Sequence, residues 1–237
     1  MDIMVNRRIA IIPARGGSKR IPKKNITDFN GLPMIVWTIK AAKESRLFDR
    51  IVVSTDDPEI AEISIQYGAE VPFLRKDFAD DYSTVSEATT FALQQAMDYW
   101  QEKYNVVVQL MANCPLRTSE DIKTLVSVFE AEDRTAQISC FEYGWMNPWW
   151  AATIDGVGRP TQIFYETLNQ RSQDLPKLYC PTGSIWISTV KALVTYKTFY
   201  SPDHTFEPIS LKSAMDIDNY EDLKIANALV VASGYSQ

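Results

Sequence analysis

The chain has 237 residues, 46% of them hydrophobic and 23% charged, enough for one large domain or one domain with a sizeable insertion. Its formal net charge of −6 argues against a general nucleic-acid surface. No apolar run approaches the ~20 residues needed to span a bilayer, and the opening MDIMVNRRIA lacks the apolar segment of a secretory signal.

Cys114, Cys140 and Cys180 are few, odd in number and widely spaced, the usage of a reduced, cytoplasmic protein. The single histidine, His204, lies in a polar stretch without a nucleophile elbow upstream. A histidine-based zinc site and a histidine relay are therefore not expected.

In chain order, Ile9–Ile12 reads as a buried strand that breaks at Pro13 into a loop with Gly16, Gly17 and Ser18. Arg15, Lys19, Arg20, Lys23 and Lys24 crowd the same loop. Glycines let a backbone approach phosphates, free N–H groups point inward, and the cations oppose the charge, so the segment is suited to a polyphosphate. It is neither GxxxxGK[ST] nor GxGxxG.

A helix is expected over 33–43 and a strand over 50–54, with Asp57 and Pro58 as the N-cap and first-turn proline of the next helix. Residues 70–74 read as a short strand, 84–100 as a long amphipathic helix and 106–110 as an apolar strand. Thr118 and Asp121 have capping-box spacing, and 136–140 is a further strand. Alternating apolar strands and helices imply an α/β fold, a mainly parallel sheet covered on both faces. Ligands of such sheets sit beyond the carboxyl ends of the strands, where the basic loop lies.

Residues 141–180 break the alternation, with Trp145, Trp149 and Trp150 among prolines and no steady period. This is an inserted segment in a single 1–237 domain, and it serves either as an aromatic-capped loop folded on its own domain or as a subunit interface. The alternation resumes at Ser184–Ile187 and ends in a helix from about Asn219.

Asp216 and Asp218 are two residues apart, so in an extended segment their carboxylates point the same way. Two hard oxygen ligands on one side suit Mg2+ with substrate phosphates and water. The competing role is local: Asp218 or Asn219 caps the final helix, with Asp222 as box partner. Asp56 is open in the same way, at a ligand edge or capping the helix that begins at Pro58.

The opening stretch IAIIPARGGSKRIPKKN resembles the ARxGSKxxxxKN signature of sugar-activating nucleotidyltransferases, in particular the CMP-sialic acid synthetases (acylneuraminate cytidylyltransferases). The resemblance runs nearly end to end, through FDRIVVSTDDPEIAE, FLRKDFADD, CPLRTSEDI, RSQDLP, Pro181–Gly183 and MDIDNYEDL. It implies a Rossmann-like nucleotidyltransferase fold whose 141–180 insertion forms a homodimer. The implied reaction moves CMP from CTP to an acidic nine-carbon, nonulosonic sugar and releases pyrophosphate. An eight-carbon Kdo acceptor is the nearest alternative, and a non-catalytic nucleotide sensor on the same scaffold a further one.

Within that resemblance Arg15, Gly16, Gly17, Ser18 and Lys19 hold the triphosphate, Lys24 lies near the transferred phosphate, and Asn25 contacts the nucleoside. Arg75 matches an arginine near the cytosine, its other reading being an exposed strand-end residue. Asp216 and Asp218 hold the metal, and Arg15, Lys19, Lys24 and the two aspartates form the catalytic set. On the acceptor side, Met111 stands at the family's glutamine, Thr182 at its asparagine and Trp186 at its tyrosine. Arg171 matches an arginine near the sugar that often reaches across from a partner subunit. Either the sugar carries an altered substituent pattern, as in legionaminic or pseudaminic acid, or these positions are ordinary core variation.

Overall fold

The computed structural model describes residues 6–78 and 84–233. The acidic end of the FLRKDFADD block (79–81) lies outside them. Strands β1 (Arg8–Pro13), β2 (Asp28–Phe29) and β3 (Leu32–Pro33) lead into helix α1 (Met34–Ser45). Then come β4 (Arg50–Ser54), α2 (Pro58–Gln66), α3 (Val85–Trp100), β5 (Val106–Gln109), α4 (Ser119–Ala131) and β6 (Ala136–Glu142). After them the chain forms β7 (Ala152–Ile154), β8 (Pro160–Gln162), β9 (Tyr179–Thr189), α5 (Val190–Tyr196), β10 (His204–Pro208) and α6 (Tyr220–Ala232).

Six strands form one sheet in the order β10-β6-β9-β5-β1-β4. β1 pairs in parallel with β4 and β5, and β6 with β10, whereas β9 runs antiparallel to both its neighbours. Alternate residues of β1 enter two cores. Ala10 and Ile12 pack with α1, α2 and α4 through Ile35, Ile39, Ile60, Leu125 and Phe129. Ile9 and Ile11 pack with α3 and α5 through Ala92, Leu93, Ala96 and Leu193. A strand apolar on both faces must be covered on both, which is the expected doubly covered α/β sheet.

Helix starts follow their caps. Asp57 accepts from the N–H groups of Glu59 and Ile60, and Pro58 sits at the first turn. Thr84 with Glu87, Thr118 with Asp121 and Asn219 with Asp222 all close as full capping boxes.

Several elements depart from the sequence reading, the small β2–β3 hairpin among them. Of 70–74 only Glu70 bridges, to Val52; Pro72 has no N–H for a ladder, and the chain turns away. α5 and β10 are additional. α5 is a short helix capped by Thr189, and β10 is a half-exposed polar edge strand without an apolar run to announce it. Residues 141–180 join neighbouring antiparallel strands, so this segment lies at the sheet's end rather than crossing its face. Within it are the β7–β8 hairpin and three single 3-10 turns.

A third, smaller apolar cluster joins Ile21 of the basic loop to Phe29, Met34, Leu116, Ile217, Ala226 and Val230. It seats the carboxyl-terminal segment against the loop, which sets up the site.

Candidate active site

A cavity of about 530 Å3 opens beyond the carboxyl ends of β1, β4 and β5. Its wall includes Pro13, Arg15, Ser18, Lys19, Lys24 and Asn25 from the basic loop, and Met111 and Asn113 from the turn after β5. Arg75, Thr84, Val85 and Ala88, the last three at the start of α3, close one side; Asp216 and Asp218 close another. A larger cavity of about 760 Å3, lined by Phe29, Trp37, Leu116 and Val230, contains none of the loop cations and neither aspartate. The charges therefore make the smaller one the candidate site.

The loop is held from below by the sheet. Gly16 N–H donates to Asp56 Oδ1 at 2.9 Å, so Asp56 anchors the loop while its neighbour Asp57 caps α2. Asp56 is therefore not the cap of α2. A Cβ on Gly16 would lie 2.7 Å from Asp57 Oδ2 and 2.9 Å from its Cβ, closer than real Cβ contacts allow. Gly17 meets nothing within 4 Å. Asn25 donates to the Arg15 carbonyl at 2.9 Å and is buried, closing the loop on itself.

Asp216 and Asp218 flank the fully buried Ile217. The Ile217 N–H donates to the Asn113 carbonyl at 2.9 Å, and Asn113 Nδ2 donates back to the Ile217 carbonyl at 3.2 Å. The same Nδ2 donates to Asp216 Oδ1 and, at 3.4 Å, to Asp218 Oδ1. One amide thus reaches both carboxylates, which fixes them on one side of the segment. Asn219 caps α6 at the same time, so the capping and ligand readings of this block coexist.

The two carboxylates are electrostatically unequal. Burial, then the charge of Asp218, pushes Asp216 up to about 6. Burial also acts upward on Asp218, but hydrogen bonds and charges from Lys24 and Arg20 outweigh it and hold that carboxyl below the usual range. Lys24 Nζ is 2.8 Å from Asp218 Oδ1, and Arg20 is 2.6 Å from Oδ2.

The donor set fits a hard divalent cation that keeps phosphate and water ligands. It offers two carboxylates held on one side of the segment by the Asn113 amide. Among the described residues no group of three or more His, Cys, Asp and Glu side chains is placed to cage a metal by itself.

The sequence model of the family described as cytidylyltransferase matches residues 9–224. The chain belongs to the cytidylyltransferase family.

Pseudaminic acid cytidylyltransferase of Campylobacter jejuni is 35% identical over 229 residues, covering 94% of this chain and 96% of that one. CMP-N,N'-diacetyllegionaminic acid synthase of Legionella pneumophila is 35% identical over 230 residues, with the same coverage. In the solved structures, CMP:2-keto-3-deoxy-manno-octonic acid synthetase complexed with CTP superposes with a TM-score of 0.69. It covers 96% of this chain and 99% of that one at 16% identity, a likeness of fold. The enzyme is thus a nucleotidyltransferase with the α/β, Rossmann-like architecture expected.

The fold gathers Arg15, Ser18, Lys19, Lys24, Asn25, Arg75, Met111, Asp216 and Asp218 around one cavity. Arg75 is buried rather than an exposed strand-end residue; its N–H donates to the Thr55 carbonyl at 2.7 Å. Its Nε and one Nη have no hydrogen-bond partner, and burial lowers its pKa against the opposing charge of Asp56.

Three acceptor-side residues are not part of that wall. The Thr182 hydroxyl donates to the Ala214 carbonyl at 2.9 Å in a buried position. Trp186 Nε1 donates to the Thr182 carbonyl at 2.8 Å, and its ring packs edge-on with Phe199 and Tyr200. Both serve the fold around β9, which favours core variation at these two positions. Arg171 is exposed and paired with Asp174 at 2.7 Å, away from this chain's own cavity.

Asn113 carries no assignment from sequence, because its partners lie more than a hundred residues away. A polar residue in the otherwise apolar LMANCPL stretch was the only signal.

Proposed function

We propose that the enzyme transfers CMP from CTP to the anomeric hydroxyl of a nonulosonic acid, a nine-carbon acidic sugar of the pseudaminic or legionaminic kind. The hydroxyl oxygen forms a bond to the α-phosphorus and gives up its proton to solvent, the bond to the pyrophosphate oxygen breaks, and pyrophosphate leaves. The observation that carries this reading is one cavity in which a polyphosphate-type loop faces two aspartates oriented by a single amide. The relatives' names supply the sugar class.

Transfer of this kind depends on positioning and charge neutralisation more than on covalent chemistry. Arg15, Ser18, Lys19 and Lys24, with the Gly16–Gly17 backbone, hold the triphosphate and stabilise charge growing on pyrophosphate. Asn25 fixes the loop and contacts the nucleoside. The partnerless nitrogens of Arg75 supply donors for the carbonyl and ring nitrogen of cytosine, acceptors that a buried guanidinium satisfies well. Asp216 and Asp218 hold a divalent cation, Mg2+ in this reading, which supplies charge neutralisation at phosphate oxygens when bound. Met111 borders the acceptor space, where it abuts Gly183.

The functional unit in this proposal is a homodimer through 141–180. That segment exposes Trp145, Ile154, Val157 and Tyr165, apolar surface that a second copy would cover. Arg171 then serves the sugar of the partner's site. Three free cysteines, two of them buried, fit a cytoplasmic location. Among the described residues no helix is long and apolar enough to cross a membrane.

The test is pyrophosphate release from CTP with pseudaminic, legionaminic, N-acetylneuraminic and Kdo acceptors. Turnover with a nonulosonic acid is expected, and turnover with Kdo alone would overturn the sugar assignment. Asp216→Asn is expected to abolish turnover while nucleotide binding persists. Binding of CTP by the wild type without turnover on any acceptor would leave a nucleotide sensor.

A further inference from the structure

Asp218 is held by the loop it faces. Lys24 binds one of its oxygens at 2.8 Å and Arg20 the other at 2.6 Å, across about 200 residues of sequence. The pairing is built in rather than incidental, because Ile21, next to Arg20, and Ile217, next to Asp218, are buried in the same apolar cluster. Shared burial in that cluster holds the two backbones near each other, so the ion pair forms at little further cost in chain entropy. Lys24 is well shielded, with 14% of its side chain exposed, whereas Arg20 is 63% exposed.

These cations have two suitors. A nucleotide triphosphate carries several negative charges and accepts from Lys and Arg more strongly than one carboxylate does. A divalent cation needs carboxylate oxygens not already committed to Lys and Arg. Each ligand therefore removes an obstacle to the other: phosphate draws the loop cations off Asp218, and a metal on Asp218 releases the cations toward phosphate.

We propose that Arg20 and Lys24 are an internal counter-ion of Asp218 that exchanges for a divalent cation as the triphosphate binds. Metal capture is then coupled to nucleotide binding, and by reciprocity nucleotide binding to the metal. Arg20, which the family resemblance leaves without a role, is the residue that sets the strength of the coupling. The inference rests on the proposed metal role of Asp216 and Asp218.

The test uses the full chain and Mn2+ alone, with bound and free Mn2+ separated by electron paramagnetic resonance. Without nucleotide, Arg20→Gln is expected to bind Mn2+ roughly 5- to 20-fold tighter than wild type, within the usual range of coupling between sites. Lys23→Gln removes a cation from the same loop, but that lysine pairs with Glu59 instead; its Mn2+ affinity is expected to stay within about twofold of wild type. Asp218→Asn is expected to weaken Mn2+ binding in both the wild-type and Arg20→Gln backgrounds. The proposal fails if Arg20→Gln binds Mn2+ no tighter than wild type, or if Lys23→Gln gains as much. It also fails if Asp218→Asn changes nothing, or if no Mn2+ binds to any of these proteins. Melting temperatures confirm that the variants are folded. The sugar reading stands or falls separately, on pyrophosphate release by the wild type.

Discussion

Asn113 and Ile217 exchange two hydrogen bonds, Ile217 N–H to the Asn113 carbonyl at 2.9 Å and Asn113 Nδ2 to the Ile217 carbonyl at 3.2 Å. With Ile217 wholly buried, that exchange turns Asp216 and Asp218 toward the basic loop. Asn113→Leu keeps the branched shape and removes the amide. It is expected to lower kcat by about 10- to 100-fold, the range seen when partners that orient metal ligands are lost. CTP binding measured by calorimetry without added metal should change little. Buried acceptors left without a donor should also cost about 1–3 kcal/mol in unfolding.

Gly16 has no room for a side chain, since a Cβ would meet Asp57 at 2.7 Å. Gly16→Ala must displace either the loop or the α2 cap. A rise in KM for CTP of about tenfold and a stability loss of about 1–3 kcal/mol are expected. Gly17→Ala, with nothing within 4 Å, should leave the melting temperature within about 2 °C of wild type.

Glu102 ties the amino end of the sheet to the end of α3. Hydrogen bonds from Arg50, then Tyr104 and Arg7, hold its carboxyl down at about 2 against an ordinary 4.5, outweighing the opposing effect of burial. A depressed folded-state pKa means the contribution is complete above about 4.5 and is lost as pH falls toward about 2. Wild type should therefore lose its stability advantage over Glu102→Gln across that window. Urea midpoints measured from pH 6 down to pH 3 check this; a constant difference would remove the assignment.

The insertion exposes Ile154 and Val157 at 72% and 75% of their surface. If 141–180 is the dimer face, Ile154→Asp with Val157→Asp should shift sedimentation from dimer to monomer. Activity should fall with the monomer fraction if Arg171 serves the partner's site. A stable, fully active wild-type monomer would refute both roles.

Much of this protein was legible along the chain. Each strand apolar on both faces, Ile9–Ile12 and Val106–Leu110 among them, announced a doubly covered sheet, because both sides of such a strand must leave water. Caps at Asp57, Thr118 and Asn219 marked helix starts through local hydrogen bonds that need no distant partner. The cation-rich glycine loop and the Asp-x-Asp pair were visible for the same reason, since their chemistry lies within a few residues.

The tertiary structure alone decided what depends on distant partners. The direction of β9 follows from an insertion that returns beside β6, and the edge strand β10 has no apolar pattern of its own. Thr182 and Trp186 spend their donors inside the fold, on the Ala214 and Thr182 carbonyls, rather than on the cavity wall. Composition and spacing pointed to a cation-rich glycine loop suited to phosphate at one end of the chain and two carboxylates at the other. Only the apolar cluster that buries Ile21 and Ile217, with Asn113 bridging the aspartates, brought them to one cavity. Burial and hydrogen bonding between residues far apart in sequence leave no local period to read.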